Sequence, residues 1–268
     1  MFICEKIREN VTSIMDPGNM RAFLLEGTKK AVLIDTCCGL GNLKELVAEM
    51  TKLPLEVICT HGHVDHAGGS YGFDTVYLNP ADWELAKQHT TIAKRSAFVN
   101  GDSLPFKYTR DQFVPQREGN YSELTDGQIF DLGGITLECI AVPGHTRGMT
   151  CVLIREYKTL ILGDACNPFT FLFLEEATDI RTYMQSLRHL LIRAEEFDTI
   201  WLSHGEVECP KSVIETVLET CETILERKDD AVPFDFMGDP GFIAIAMDAE
   251  GKRKDGKIGN VVYHPGKL

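Results

Sequence analysis

Ten consecutive residues, Thr60-His61-Gly62-His63-Val64-Asp65-His66-Ala67-Gly68-Gly69, restrict what this chain can fold into more than any other stretch. Three histidines and an aspartate fall within six positions. Burying several imidazoles with a carboxylate is costly unless they are paired or bound to metal. Neutral imidazole is the commonest metal ligand, and carboxylate joins it readily at zinc. The preceding run, Leu55-Glu56-Val57-Ile58-Cys59-Thr60, is apolar and β-branched and reads as a buried strand. Ala67-Gly68-Gly69-Ser70 then permits a tight turn. The polar residues therefore sit where a strand ends and a loop begins, where α/β enzymes place their chemistry. The competing reading, an exposed polar loop that happens to hold histidines, loses weight once the rest of the chain is considered.

The cluster holds three of eight histidines, and two more lie in similar settings. His145 stands in Val142-Pro143-Gly144-His145-Thr146-Arg147-Gly148, after the apolar run Ile135 to Val142. His204 stands in Ile200-Trp201-Leu202-Ser203-His204-Gly205, again at the end of an apolar run. Asp164 follows Thr159-Leu160-Ile161-Leu162-Gly163. Four strand ends thus each deliver metal-binding side chains.

The succession His-x-His-x-Asp-His, Pro-Gly-His-Thr, Gly-Asp and Ser-His-Gly resembles the metallo-β-lactamase superfamily over residues 1 to 225. Ala31-Val32-Leu33-Ile34-Asp35-Thr36 also resembles that family's strand ending in an aspartate that braces the metal ligands from behind. The resemblance implies an α/β fold, a four-layer αββα sandwich of the metallo-β-lactamase type with a binuclear metal centre at one edge. It implies that His61, His63 and His145 hold the first ion, that Asp65, His66 and His204 hold the second, and that Asp164 bridges both. The implied cofactors are two divalent ions, zinc first, with iron or manganese as alternatives. Two such ions about 3.5–4 Å apart activate a bridging hydroxide and clamp developing charge. Asp65 is the implied catalytic residue, steering the hydroxide or carrying a proton to the leaving group.

A chain of 268 residues can bury a substantial core in one domain plus a small appendage. The formal net charge of −13 repels phosphate backbones, which argues against nucleic acid as substrate or partner. Nine cysteines, an odd number with no CxxC pair, read as reduced thiols packed as small hydrophobes. The start lacks the layout of a signal peptide, and no apolar run reaches membrane-spanning length. A cytoplasmic protein with a small-molecule substrate and no membrane partner is expected, with a homodimer left open.

In chain order, residues 2–7, 11–15, 20–26 and 30–35 read as strands, and 43–53 as a helix. Strands follow at 55–60 and 75–78. Asn79 then caps a helix opening on Pro80 and reaching about 93. Residues 80–122 read as an insertion that could overhang the site as a lid, with Phe98, Phe106, Tyr108 and Phe113 among basic residues. Strands at 128–131, 135–142, 151–155 and 159–162 lead to a helix over 179–195, a strand at 199–202 and a helix over 210–227. Residues 1–228 are thus read as the hydrolase domain and 229–268 as a C-terminal β-hairpin extension, with strands at 242–247 and 259–263. His89 and His189 read as surface residues of helices, His264 as structural, Cys166 as core, and Arg147 as exposed.

The function expected from these residues is metal-dependent hydrolysis of a small thioester, lactone or ester. The site resembles those of glyoxalase II and the acyl-homoserine lactonases, which share the bridging aspartate. The helical glutathione-binding region of the former has no counterpart here. The tyrosine that the latter carry soon after that aspartate is absent from Cys166-Asn167-Pro168-Phe169. Two alternatives are a phosphodiesterase, disfavoured by the acidic charge, and an iron-dependent oxidoreductase of the persulfide dioxygenase kind.

Overall fold

The computed structural model describes residues 2–101 and 108–268. The chain divides into two compact units, residues 1–139 with 203–205, and residues 140–202 with 206–268.

The first unit is built on a seven-stranded sheet in sequence order. Its strands are β1 (Ile3–Arg8), β2 (Val11–Met15), β3 (Arg21–Glu26), β4 (Ala31–Ile34), β5 (Leu55–Ile58), β6 (Val76–Leu78) and β7 (Ser122–Glu123). Strands β1 to β4 form an antiparallel meander, and β4 to β7 run parallel. Between β4 and β5, α1 (Leu43–Met50) is the crossover helix, capped by Asn42. Leu43 and Val47 of α1 pack with Ile14, Leu24, Leu33, Val57 and Val76 on one sheet face. Phe23, Leu25, Val32 and Ile34, which alternate with these, are also buried. Burial on both faces explains why these strands read as continuous apolar runs.

The one-turn helix α2 (Val64–Ala67) follows β5. Beyond β6 a 3₁₀ turn at Pro80–Asp82 runs into α3 (Trp83–His89) and then α4 (Ile92–Val99). The second of these helices extends past the predicted helix end at about 93. It buries Arg95, whose Nη2 donates to the Val114 carbonyl at 2.9 Å. Phe113, buried, forms a small cluster with Cys38, Leu40 and Val99, against which Phe98 and Tyr108 pack. Three of the four aromatics expected over the site are thus engaged in packing of their own unit. The fourth, Phe106, lies outside the described residues. The hairpin of β8 (Ile129–Asp131) and β9 (Thr136–Ala141) leads toward the second unit.

The second unit carries sheet strands in the order β14-β13-β11-β10, with β10 (Thr150–Ile154), β11 (Thr159–Ile161), β13 (Thr199–Trp201) and β14 (Glu208–Cys209). Its core joins Val142, Leu153, Leu160 and Ile200 to Tyr183 and Leu187 of α5 (Ile180–Ile192) and to Val213 and Val217 of α6 (Ser212–Leu225). A further sheet has the order β12-β17-β16-β15. Of the tail strands expected at 242–247 and 259–263, the second matches β17 (Asn260–Tyr263), whereas its antiparallel partner β16 (Asp239–Ile243) begins three residues earlier and ends four residues earlier than expected. Two strands not foreseen flank this pair: β15 (Val232–Phe236), and β12 (Phe169–Leu172), which lies parallel to β17. Among the described residues, no helix is long and apolar enough to cross a membrane.

Candidate metal centre

Strand β5 is buried at its C-terminal end, so the residues after it are delivered to the interior rather than to solvent. His61 and His66 are fully buried, and His63 and Asp65 nearly so. The loop is held close to the sheet by backbone contacts. Gly69 donates to the Cys37 carbonyl, and a Cβ on it would stand 2.1 Å from the Thr36 carbonyl oxygen, so only glycine fits. Gly62 donates to Asp82 Oδ2 at 3.0 Å, which ties the motif to the turn before α3.

Hydrogen bonds set the imidazole tautomers. Asp35 Oδ2 lies 2.8 Å from His66 Nδ1 and accepts its proton, which puts the lone pair on Nε2. Thr60 Oγ1 lies 3.0 Å from both Asp35 oxygens and donates its one proton there, so it accepts from His61 Nδ1 at 3.1 Å. His61 Nε2 then bears a lone pair and faces His63 Nδ1 at 3.1 Å. His89, expected on the surface, stacks on His63 with centroids 5.1 Å apart.

His204 follows β13 in sequence but belongs to the first unit by its contacts. It bridges Met20, and Arg21 clamps both of its neighbours, its backbone N–H to the Ser203 carbonyl at 2.9 Å and its Nη2 to the Gly205 carbonyl at 3.0 Å. Arg21 is buried and reaches back to Ser13 Oγ at 3.0 Å. Asp16 closes the β2–β3 turn by accepting from the backbone of Gly18, Met20 and Cys38, and burial raises its carboxyl above the ordinary range. The outcome is a three-donor group: Asp65, His66 and His204 each offer a ligand atom within 4.8 Å of the others. Asp65 Oδ2 is 3.3 Å from His204 Nε2 and 3.8 Å from His66 Nε2. Ligands at the edges of a tetrahedron around zinc stand about 3.3 Å apart, given bonds of about 2.0–2.1 Å. The donor chemistry and spacing therefore fit a divalent ion.

In the second unit, His145 Nδ1 donates to the Phe171 carbonyl of β12 at 2.8 Å, so Nε2 bears the lone pair, 3.6 Å from Asp164 Oδ2. Gly144 lies under the ring of Tyr183, and the Tyr183 hydroxyl donates to the Ala165 carbonyl at 2.7 Å, so one aromatic side chain braces the neighbours of both His145 and Asp164. Cys166 is core, as read, and Asn167 is consumed in a turn, accepting from the Phe169 amide. Arg147 is exposed. His189 is exposed on α5, and His264 caps the final turn by accepting from the Gly266 amide. Arg21, the Phe171 carbonyl and the His89 stack had no mark in the sequence reading.

The family model described as the metallo-beta-lactamase superfamily matches residues 15–203. The human acyl-coenzyme A thioesterase MBLAC2 is 31% identical over 159 residues, covering 53% of this chain and 56% of that protein. The atrochrysone carboxyl ACP thioesterase of Aspergillus fumigatus is 25% identical over 184 residues, covering 65% of this chain and 49% of that protein. The matches thus span about half the length of these relatives. Among solved structures, a metallo-beta-lactamase from Pontibacter korlensis superposes with a TM-score of 0.61 at 18% identity, over 83% of this chain and 99% of that one. The sec-alkylsulfatase Pisa1 from Pseudomonas sp. gives 0.67 at 14% identity, over 85% and 42%. At such identities the likeness speaks for the fold alone. With the family match covering the strand-end motifs and the fold in agreement, the chain belongs to the metallo-beta-lactamase superfamily.

Proposed function

We propose that this chain is a metal-dependent thioesterase. In this reading His61, His63 and His145 hold one divalent ion, Asp65, His66 and His204 hold a second, and Asp164 is shared. The observation that carries it is the pinning of the far ring nitrogens. Thr60, Asp35 and the Phe171 carbonyl each engage Nδ1 of one histidine, so that Nε2 of His61, His66 and His145 is presented as a ligand. Sequence likeness to two proteins named thioesterases directs the choice of bond.

When bound, the ions supply Lewis-acid polarisation of a carbonyl and lower the pKa of water. The rest falls to the chain. His61, His66 and His145 have Nδ1 engaged, and so their ring orientation fixed, before substrate arrives. Asp65, whose Oδ2 lies 3.3 Å from His204 Nε2 among the ligand atoms, would steer the nucleophile or carry a proton to the leaving group. The departing thiol needs little help, since its pKa of about 8.5 makes the thiolate a competent leaving group near neutrality. The net charge of −13 disfavours a polyanionic phosphodiester at long range. The nine free cysteines support a reducing, cytoplasmic setting.

Two measurements test this together. Elemental analysis of protein purified without chelators is expected to give two divalent ions per chain, zinc foremost, and a ratio that stays near one after supplementation argues against the binuclear site. Steady-state kinetics on a thioester, a lactone and a bis-aryl phosphodiester are expected to rank the thioester highest in kcat/KM. A higher value for the phosphodiester, or oxygen uptake with a persulfide by an iron-loaded protein, would replace this reading with one of the alternatives.

A further inference from the structure

The sheet β12-β17-β16-β15 has two unlike faces. Its registers place Leu172, Val261, Tyr263 and Phe242 on one of them, packed on the core of the second unit. The other face carries Phe169, Phe171, Phe234 and Phe236, with Phe173 just past the end of β12, over Val262 and Ile243. Phe171 meets Phe173 at 5.1 Å and Phe236 at 5.2 Å edge to face, and Phe234 at 5.8 Å with the rings tilted. Gly241 leaves the space beneath them: a Cβ there would touch Phe173 Cβ at 3.1 Å. Phe169, Phe171, Phe234 and Phe236 remain only partly buried. Among the described strand positions on this face, the one charged residue is Asp239, opposite Phe236 at the end of the hairpin.

Strand β12 links this face to the site, because the Phe171 carbonyl is the acceptor that orients His145. We infer that the phenylalanine face binds the acyl chain of the substrate and sets chain-length preference. The inference rests on the thioesterase reading. A carbonyl at the Nε2 end of His145 is separated from the edge of β12 by the imidazole ring and its 2.8 Å hydrogen bond to the Phe171 carbonyl, a gap that an acyl chain of several carbons spans, and an uncharged aromatic surface favours an unbranched hydrocarbon over a sugar or a phosphate. Its size points the same way. Four strands about 4.8 Å apart and about five residues of about 3.3 Å each make a face of roughly 300 Å². A stable protein interface needs about 800 Å² per partner, so a second copy of the chain is a poorer fit than a hydrocarbon chain.

The test compares acetyl and octanoyl thioesters of N-acetylcysteamine, with binding of the non-hydrolysable S-octyl thioether followed by calorimetry. The native protein is expected to favour octanoyl, and Phe234→Ala is expected to lower the octanoyl-to-acetyl ratio of kcat/KM by about tenfold or more, the worth of one lost aromatic contact. Phe234→Leu should restore part of it, and Phe242→Leu, on the opposite face, should leave the ratio unchanged. Phe236→Ala, nearer the hairpin end, gives the same readout if Phe234→Ala does not fold. An unchanged ratio in folded Phe234→Ala and Phe236→Ala overturns the inference. So does a shift from dimer to monomer by light scattering with no change in ratio, which would make the face a contact between copies. Failure to turn over any thioester sinks the thioesterase reading instead. Thioether affinity then decides the face alone: binding that Phe234→Ala weakens supports it, and no binding overturns it.

Discussion

Asp35 Oδ2 and His66 Nδ1 stand 2.8 Å apart with both side chains out of solvent. Asp35 also accepts from the Thr60 amide at 2.7 Å, and it does so from a left-handed backbone with φ of 62°. Asparagine is nearly isosteric with aspartate and is among the side-chain-bearing residues that tolerate this backbone. Asp35→Asn therefore isolates the charge of the acceptor. It is expected to keep the fold and to weaken divalent-metal affinity by about 10–100-fold, as loss of a histidine's supporting carboxylate does. Competition with a chromophoric chelator, alongside a thermal melt, measures both. Affinity unchanged in a folded variant would mean that the hydrogen bond does not hold the ring.

A pair of aspartates separates ligation from folding. On the proposed assignment, Asp164→Ala removes one ligand from both ions, and metal content and turnover should both collapse. Asp179 caps α5 instead, accepting from the Thr182 amide at 2.9 Å and the Thr182 hydroxyl at 2.7 Å. Asp179→Ala should cost about 0.5–2 kcal/mol of stability and leave metal content intact. Equal metal loss in both, by elemental analysis, would show that unfolding and not ligation is being read.

The thiols offer a check on burial. Eight of the nine free cysteines are buried, and Cys4 alone is exposed. Burial pushes the Cys139 thiol up to about 12 and raises Cys37, Cys38 and Cys166 well above the ordinary range. The thiolate is the reactive species. Iodoacetamide at pH 8 should therefore give one adduct per native chain, at Cys4, and nine after denaturation. Rapid native labelling of Cys37 or Cys38 would contradict the packing around the loop that follows β4.

The strand ends that carry histidine or aspartate were legible because each is an apolar run followed abruptly by polar residues, a pattern set by local chemistry. Asp35 was legible through the resemblance of Ala31 to Thr36 to the family's strand ending in an aspartate. Strand β12 was not, since Phe169–Leu172 is short and its partner Asn260–Tyr263 lies some ninety residues on. Helix α4 was hidden because a buried arginine interrupts its apolar face. The supports of His145 and His204 escaped for a different reason. They are the Phe171 carbonyl and the backbone clamp of Arg21, and a main-chain acceptor leaves no trace in residue identity.

Gly144 ties packing in the second unit to ligand position. A Cβ there would lie 2.2 Å from Tyr183 Cδ2. The ring cannot swing away cheaply, because it is fully buried and its hydroxyl donates to the Ala165 carbonyl, next to Asp164. Nor can the loop lift freely, because Ser186 Oγ holds the Pro143 carbonyl at 2.7 Å and the Thr178 amide holds that of Gly144 at 2.8 Å. Gly144→Ala should therefore cost about 1–3 kcal/mol by overpacking. It should also lower metal retention, because displacement reaches His145 and Asp164 together. Tyr183→Leu in the same chain removes the obstructing ring edge, so the double variant should be more stable than the sum of the single losses allows, with a coupling energy of about 0.5–3 kcal/mol. Denaturant unfolding of the four proteins in the cycle measures it. Strict additivity would mean that the glycine is there for some reason other than the tyrosine ring.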